Sequence, residues 1–211
     1  MATDGPSELN LRQRKSAQTR ADLLAAARAA FATAGYQQTA LEDIARAVGA
    51  TRGAFYCHFA DKREIFDHVA QQLASELVAQ VWDTSYELAN DSSERERHAA
   101  RLFLEQLCVP EVNRILAVDA PAVLGYRRWS EVIYTTISGP LAAGVAGWSS
   151  AGAFPKRLVE PITHLLVGGF QTASAHLSSV DDPVALAGDY EDALVYMIGA
   201  VRQFGIGAAA S

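Results

Sequence analysis

Between Thr39 and Lys62 the sequence gathers side chains suited to hydrogen bonding with a polyanion whose edges can be read. Arg52 and Tyr56 are four apart, so a helix puts them on one face. A guanidinium carries paired N–H donors that match the N7 and O6 acceptors of guanine. Gly53, between them, removes a side chain and lets backbone approach a partner surface. Thr39, read as a helix start, can offer its hydroxyl and free N–H groups to a phosphate. Lys62 opens the next helix and can reach another phosphate. The chemistry implied is recognition of double-stranded DNA, with phosphates for position and base edges for sequence.

Other chemistries lack their residues. No G-x-S-x-G elbow occurs, since Gly147-Trp148-Ser149-Ser150-Ala151-Gly152 has the wrong spacing. There is no H-E-x-x-H, P-loop or G-x-G-x-x-G. His58, His68, His98, His164 and His176 show no metal-ligand spacing, and Cys57 and Cys108 are too few for a disulfide framework or a Cys-rich zinc module. No catalytic residue, metal or cofactor is expected. Two rival readings stay open: a small-molecule-processing helical enzyme, and a scaffold protein that binds DNA without sequence choice.

The elements that must position these residues are helical. With 50% apolar and 20% charged residues, the 211-residue chain can bury a large core. An apolar stripe (Leu24, Ala27, Ala30, Phe31, Ala34) predicts a helix over 18–34, stopped by Gly35. Thr39 to Glu42 reads as a capping box. It opens a short helix (Leu41, Ile44, Ala45, Val48) that ends at Gly49. A second short helix follows from Arg52 to about Phe59, burying Phe55 and Phe59. Two such helices joined at a glycine make a helix-turn-helix. A long helix from Lys62 to about Leu88 follows, with the stripe Ile65, Phe66, Val69, Leu73, Leu77 and Val81.

Ser93 with Glu96 forms another capping box, opening a helix to about Leu107. Further helices are expected at 110–118, from 121 with a break near Gly139-Pro140, at 157–178 and at 183–204. No run alternates with period two long enough for a strand. The expected division is a flexible arm over 1–15, a DNA-binding module over 16–64 and a helical body over 65–211. Residues 1–64 hold nine basic and seven acidic residues, a net of +2, against nine and seventeen, a net of −8, for 65–211. A near-neutral module argues against binding that leans on many phosphates. The uncharged stretches Val132–Pro155 and Pro161–Val180 carry Gly, Pro and hydroxyl residues and read as core or interface helices rather than membrane spans. Residues 1–20 are polar and resemble no secretory leader, so a bacterial-type cytoplasm is expected.

Residues 19–66 resemble the DNA-binding domain of tetracycline-repressor-like (TetR) regulators. The resemblance is carried by Phe31-Ala32-Thr33-Ala34-Gly35-Tyr36, by Thr39 to Ala45, by Val48 to Phe59 and by Asp61-Lys62-Arg63-Glu64. It implies an all-α fold, with an N-terminal three-helix DNA-binding domain and a larger C-terminal domain for ligand binding and dimerisation. Arg52 then falls at a base-reading position, Gly53 at one where base reading is lost, and Tyr56 and His58 at backbone-contacting positions. Thr39 and Lys62 fall at phosphate-contacting ones, and Thr51 completes the DNA-binding set.

The resemblance also implies a homodimer that binds a palindromic operator, with repression as the expected sign. A small hydrophobic or aromatic effector would release it by moving the 62–88 helix. The aromatic residues Trp82, Tyr86, Phe103, Tyr126, Trp129, Tyr134 and Trp148 could line the effector cavity. Asp119, Glu131, His164 and His176 could serve as polar anchors. For the dimer, the last two helices offer Ile162, Leu165, Leu166, Gly169, Ala173 and Leu177, then Leu186, Tyr190, Leu194, Met197, Ile198 and Val201.

Overall fold

The computed structural model describes residues 6–88 and 92–208; the side chains of 6–9, 86, 92, 93, 96 and 201–208 lie outside the described set. The Ser93–Glu96 capping box therefore lies outside the described residues. The described residues are helical and contain no strand. The chain divides into two compact units, Met1–Ala70 and Gln71–Ser211.

In the first unit, α1 spans Pro6–Gln38, α2 Leu41–Ala47 and α3 Arg52–Tyr56, and α4 (Lys62–Leu88) begins there. α1 is helical from Pro6, within the stretch expected to be a flexible arm. Every described side chain from Asn10 to Gln18 is exposed. This stretch therefore extends a helix already nucleated by packing further along. Local bonds help it, such as Thr19 Oγ1 to the Lys15 carbonyl at 3.0 Å and Gln18 Nε2 to Asp22 at 2.8 Å. The buried stripe is Leu23, Ala27 and Phe31, all 0% exposed. Leu23, not Leu24, leads it, because i, i+4, i+8 is the spacing that faces this core. At Gly35 the backbone leaves the helix with φ 77° and ψ 167°, a region open essentially to glycine.

Phe31 and Phe66 meet edge to face at 5.1 Å, and Tyr36 meets Phe66 at 5.1 Å. Ile44, Phe55, Phe59, Ile65 and Val69 complete this core. α2 ends at Gly49 (φ 66°), where the Ala50 N–H reaches the Ala45 carbonyl at 2.9 Å. That is the six-residue closure that a left-handed glycine permits.

In the second unit, α4 continues with Leu73, Leu77 and Val81 buried. α5 spans Ser92–Leu107 and α6 Pro110–Val112, which widens into a π-helical turn over Asn113–Asp119. Then come α7 (Ala120–Ser150), a 3-10 turn (Lys156–Leu158), α8 (Val159–Leu177) and α9 (Pro183–Ala208). α7 packs against α8, and α5 against α9. α7 breaks at Gly125 (φ 76°, ψ 161°), not near Gly139-Pro140 as expected. Pro140 sits inside the helix, and the turn before it is braced by hydroxyls. Thr136 Oγ1 donates to the Val132 carbonyl at 2.7 Å, and Ser138 Oγ donates to the Tyr134 carbonyl. Among the described residues no helix is long and apolar enough to cross a membrane.

Candidate functional site

α3 is five residues long and already has two faces. Phe55 is fully buried and Phe59, just beyond the helix, is 1% exposed. Thr51, Arg52, Gly53 and Tyr56 are exposed, with Tyr56 at 46%. Thr51 caps the helix, its Oγ1 accepting from the Ala54 N–H at 3.1 Å. The helix ends three residues short of the expected Phe59, and residues 57–58 form a turn. His58 is half-buried, and Cys57 is exposed. A Cβ at Gly53 would meet only Thr51 Oγ1, at 3.9 Å, so the outer face has room beside Arg52.

Arg52 does not stand alone. Its Nη1 lies 3.0 Å from Oε1 of Glu42 on α2, and its Nη2 donates to the Tyr56 hydroxyl at 3.4 Å. The guanidinium carbon is 5.7 Å from the Tyr56 ring centre. The hydrogen bond to Tyr56, then the charge of Glu42, pushes the guanidinium pKa further up. Arg52 is thus a fixed cation whose direction is set by two neighbours. Glu42 had been expected to reach back to its own helix start. The N-cap of α2 is instead Ala40, with no side-chain cap. A reciprocal cap occurs at the start of α4: the Glu64 N–H donates to Asp61 Oδ1 at 2.8 Å, and Glu64 Oε2 accepts from the Ala60 N–H at 2.5 Å.

Two residues read as phosphate contacts are turned inward. Thr39 is 5% exposed and donates its hydroxyl to the Gly35 carbonyl at 2.8 Å. That bond satisfies a carbonyl freed by the break in α1. Lys62 Nζ donates to the Tyr36 carbonyl at 2.8 Å and the Thr39 carbonyl at 3.0 Å, and lies 4.3 Å from the Tyr36 ring centre. The ammonium ties α4 to the end of α1 rather than pointing outward. Burial, then the charge of Asp61, pushes the Tyr36 hydroxyl pKa up. Arg20 lies over the Phe59 ring at 4.8 Å.

The second unit holds a cavity of about 560 Å³. Phe103, Tyr126 and Trp129 line it, with Tyr126, 86% exposed, at the mouth. Trp82 lines a separate cavity of about 70 Å³, together with Phe103 and Trp148. Tyr134 and His164 line neither; their rings pair at 5.0 Å, with Tyr134 42% exposed and His164 exposed. The remaining polar anchors also fall elsewhere. Asp119 is 4.0 Å from Arg114, Glu131 is 3.5 Å from Arg128, and His176 Nδ1 is 2.9 Å from the Tyr190 hydroxyl. The side chains of Tyr86 and Val201 lie outside the described residues. Sequence reasoning missed Phe170, Ser130 and Gln171, which line the larger cavity. α8 reads as one apolar stripe, with no signal separating its inner from its outer face.

Ile162, Leu166 and Ile198 pack within the subunit around Val145, Trp148 and Ala153. Leu194 lines the smaller cavity with Leu166 and Ile198, and Ala173 is 4% exposed. Gly169 is exposed. The outward apolar residues of α8 and α9 include Leu165 (76% exposed), Val184 (70%), Tyr196 (81%) and Met197 (57%).

A helix-turn-helix with a polar recognition face, and a helical unit enclosing an apolar cavity, define the architecture of a one-component transcription regulator. The family model "Bacterial regulatory proteins, tetR family" matches residues 23–69, and "Tetracyclin repressor-like, C-terminal domain" matches residues 93–201. The chain belongs to this tetR family, whose members are regulators and not enzymes. It is 34% identical over 117 residues to the HTH-type transcriptional regulator TtgR of Pseudomonas putida, covering 56% of this chain and 50% of that one. It is 44% identical over 55 residues to the HTH-type transcriptional repressor BepR of Brucella suis, covering 26% of each. The chain thus spans about half the length of TtgR and less of BepR. A crystal structure of a TetR-family transcriptional regulator from Pectobacterium atrosepticum superposes with a TM-score of 0.77 at 27% identity, covering 89% of this chain and 96% of that one.

Proposed function

We propose that this chain is a ligand-responsive repressor of bacterial-type cytoplasm that binds a palindromic operator as a homodimer and leaves it when a small hydrophobic or aromatic effector fills the 560 Å³ cavity. The observation that carries the DNA-binding reading is the two-faced α3. Phe55 and Phe59 root it while Arg52 and Tyr56 stay exposed. Arg52 faces the base edges in this reading, and Thr51, Tyr56 and His58 face the backbone.

One five-residue recognition helix binds weakly, so two copies must engage together. The exposed Leu165, Val184, Tyr196 and Met197 suit a second copy of this chain. Half-sites then lie about one helical turn apart, ~34–36 Å. Leu77 of α4 lines the cavity, and Lys62 of the same helix holds α1 in the DNA-binding unit. A ligand that prefers another placement of α4 would shift the heads, and a coupling of ~1–3 kcal/mol would weaken DNA binding about 5–150-fold.

The test is footprinting on DNA flanking the gene. Protection of a palindrome over both half-sites, lost with Arg52→Ala, is the expected result. Equal protection of unrelated duplexes would instead favour the scaffold reading.

A further inference from the structure

We propose that the cavity of about 560 Å³ selects an uncharged aromatic molecule with a few neutral hydrogen-bonding groups, and rejects charged molecules of the same shape. This rests on the cavity being the effector site.

The lining decides the sign of the selection. Among the described residues its lining includes no Asp, Glu, Lys, Arg or His. A carboxylate or ammonium moved into it would leave water and meet no opposite charge, which is strongly disfavoured. Phe103, Trp129 and Phe170 supply aromatic wall. Phe103 and Phe170 hold each other edge to face at 5.1 Å and 70°, so the wall is built before any ligand arrives.

The polar content is neutral and partly uncommitted. The Thr172 hydroxyl is occupied, donating to the Gly168 carbonyl at 3.0 Å. Ser130, Gln171 and Ser174 line the cavity, and among the described residues their side chains have no hydrogen-bond partner. The same holds for the indole N–H of Trp129, a residue 8% exposed. A purely hydrocarbon ligand would displace water from these groups and replace none of its bonds. A phenol, amide or ketone on an aromatic frame would replace them. Pockets of this volume suit molecules of drug size, which admits a two-ring frame.

The test is calorimetric titration of the full chain with three probes sharing one ring system: naphthol, naphthoate and naphthylmethylammonium at neutral pH. Naphthol should bind at least about tenfold more tightly than either charged probe, the ratio that ~1.4 kcal/mol of uncompensated desolvation gives. Gly168→Leu should abolish naphthol binding. Gly168 lines the cavity, and a Cβ there meets nothing within 4 Å, so a side chain starts into open space. Ala117→Leu, from another element of the lining, is a second filling variant should the first not fold.

If a charged probe binds as tightly as naphthol, and the filling variants abolish both, the proposed ligand class is wrong while the cavity stands as the effector site. If naphthol does not bind, or binds equally well to the filled variants, the cavity is not the site and the proposal falls with it.

Discussion

Arg52 is held by two neighbours, and both contacts bear on how it reads a base. Glu42 and Tyr56 each take one N–H, which leaves the guanidinium donors needed for a bidentate contact. Arg52→Ala should reduce discrimination between operator and random DNA by ~1–3 kcal/mol, while changing random-DNA binding far less. Competition binding reads the ratio, and equal losses on both DNAs would reject base reading. Lys62 works differently. Its ammonium is committed to two carbonyls, so Lys62→Met should lower unfolding free energy by ~1–3 kcal/mol in urea melts. The slope of log affinity against log salt should stay put; a fall of about one unit would restore the phosphate contact read from sequence. The two cysteines give a third check. Cys108 Sγ donates to the Leu104 carbonyl at 3.5 Å, and burial, then the charges of Glu105 and Asp182, pushes its pKa up. The thiolate is the reactive form, so the exposed Cys57 should be alkylated well before Cys108 in the folded protein. Faster labelling of Cys108 would contradict this placement.

At the scale of elements, the break in α7 carries more weight than its proline. Gly125 takes φ 76° and ψ 161°, open essentially to glycine, and the next residue, Tyr126, stands at the cavity mouth. Gly125→Ala should cost ~1–3 kcal/mol in stability and loosen the rim, with a lower melting temperature and weaker probe binding. Pro140→Ala should leave probe binding unchanged, because its helix continues on both sides. All six residues of the expected α4 stripe from Ile65 to Val81 are buried, because the 3.6-residue period holds over a long helix, and Ala70, Ala74 and Val78 widen it. α1 was less legible. Its alanines make adjacent faces nearly equivalent, and only the position of the core selects Leu23 over Leu24.

For the whole molecule, the surface proposed to meet a second copy is the outward side of α8 and α9. Leu165, Val184, Tyr196 and Met197 form an apolar set that a lone subunit leaves in water. Tyr196→Glu should give a folded monomer by sedimentation equilibrium, with unchanged helix content by circular dichroism. Operator affinity should collapse with it, since both half-sites must engage together. A dimer that survives Tyr196→Glu and Leu165→Glu together would place the interface elsewhere.

Sequence alone determined that the chain is helical, that a glycine joins two short helices, and that Phe55 and Phe59 bury while Arg52 and Tyr56 do not. These are properties of period, caps and residue type, which act over a few positions along one chain. Tertiary structure alone decided where the polar groups of Thr39, Glu42 and Lys62 are spent, and which side of α8 and α9 turns inward. Lys62 finds its carbonyl on Tyr36, twenty-six residues away, and Glu42 finds Arg52 on the next helix. Such partners are chosen by proximity that only packing creates, and a helix apolar on several sides shows its inner face only once its neighbours are in place.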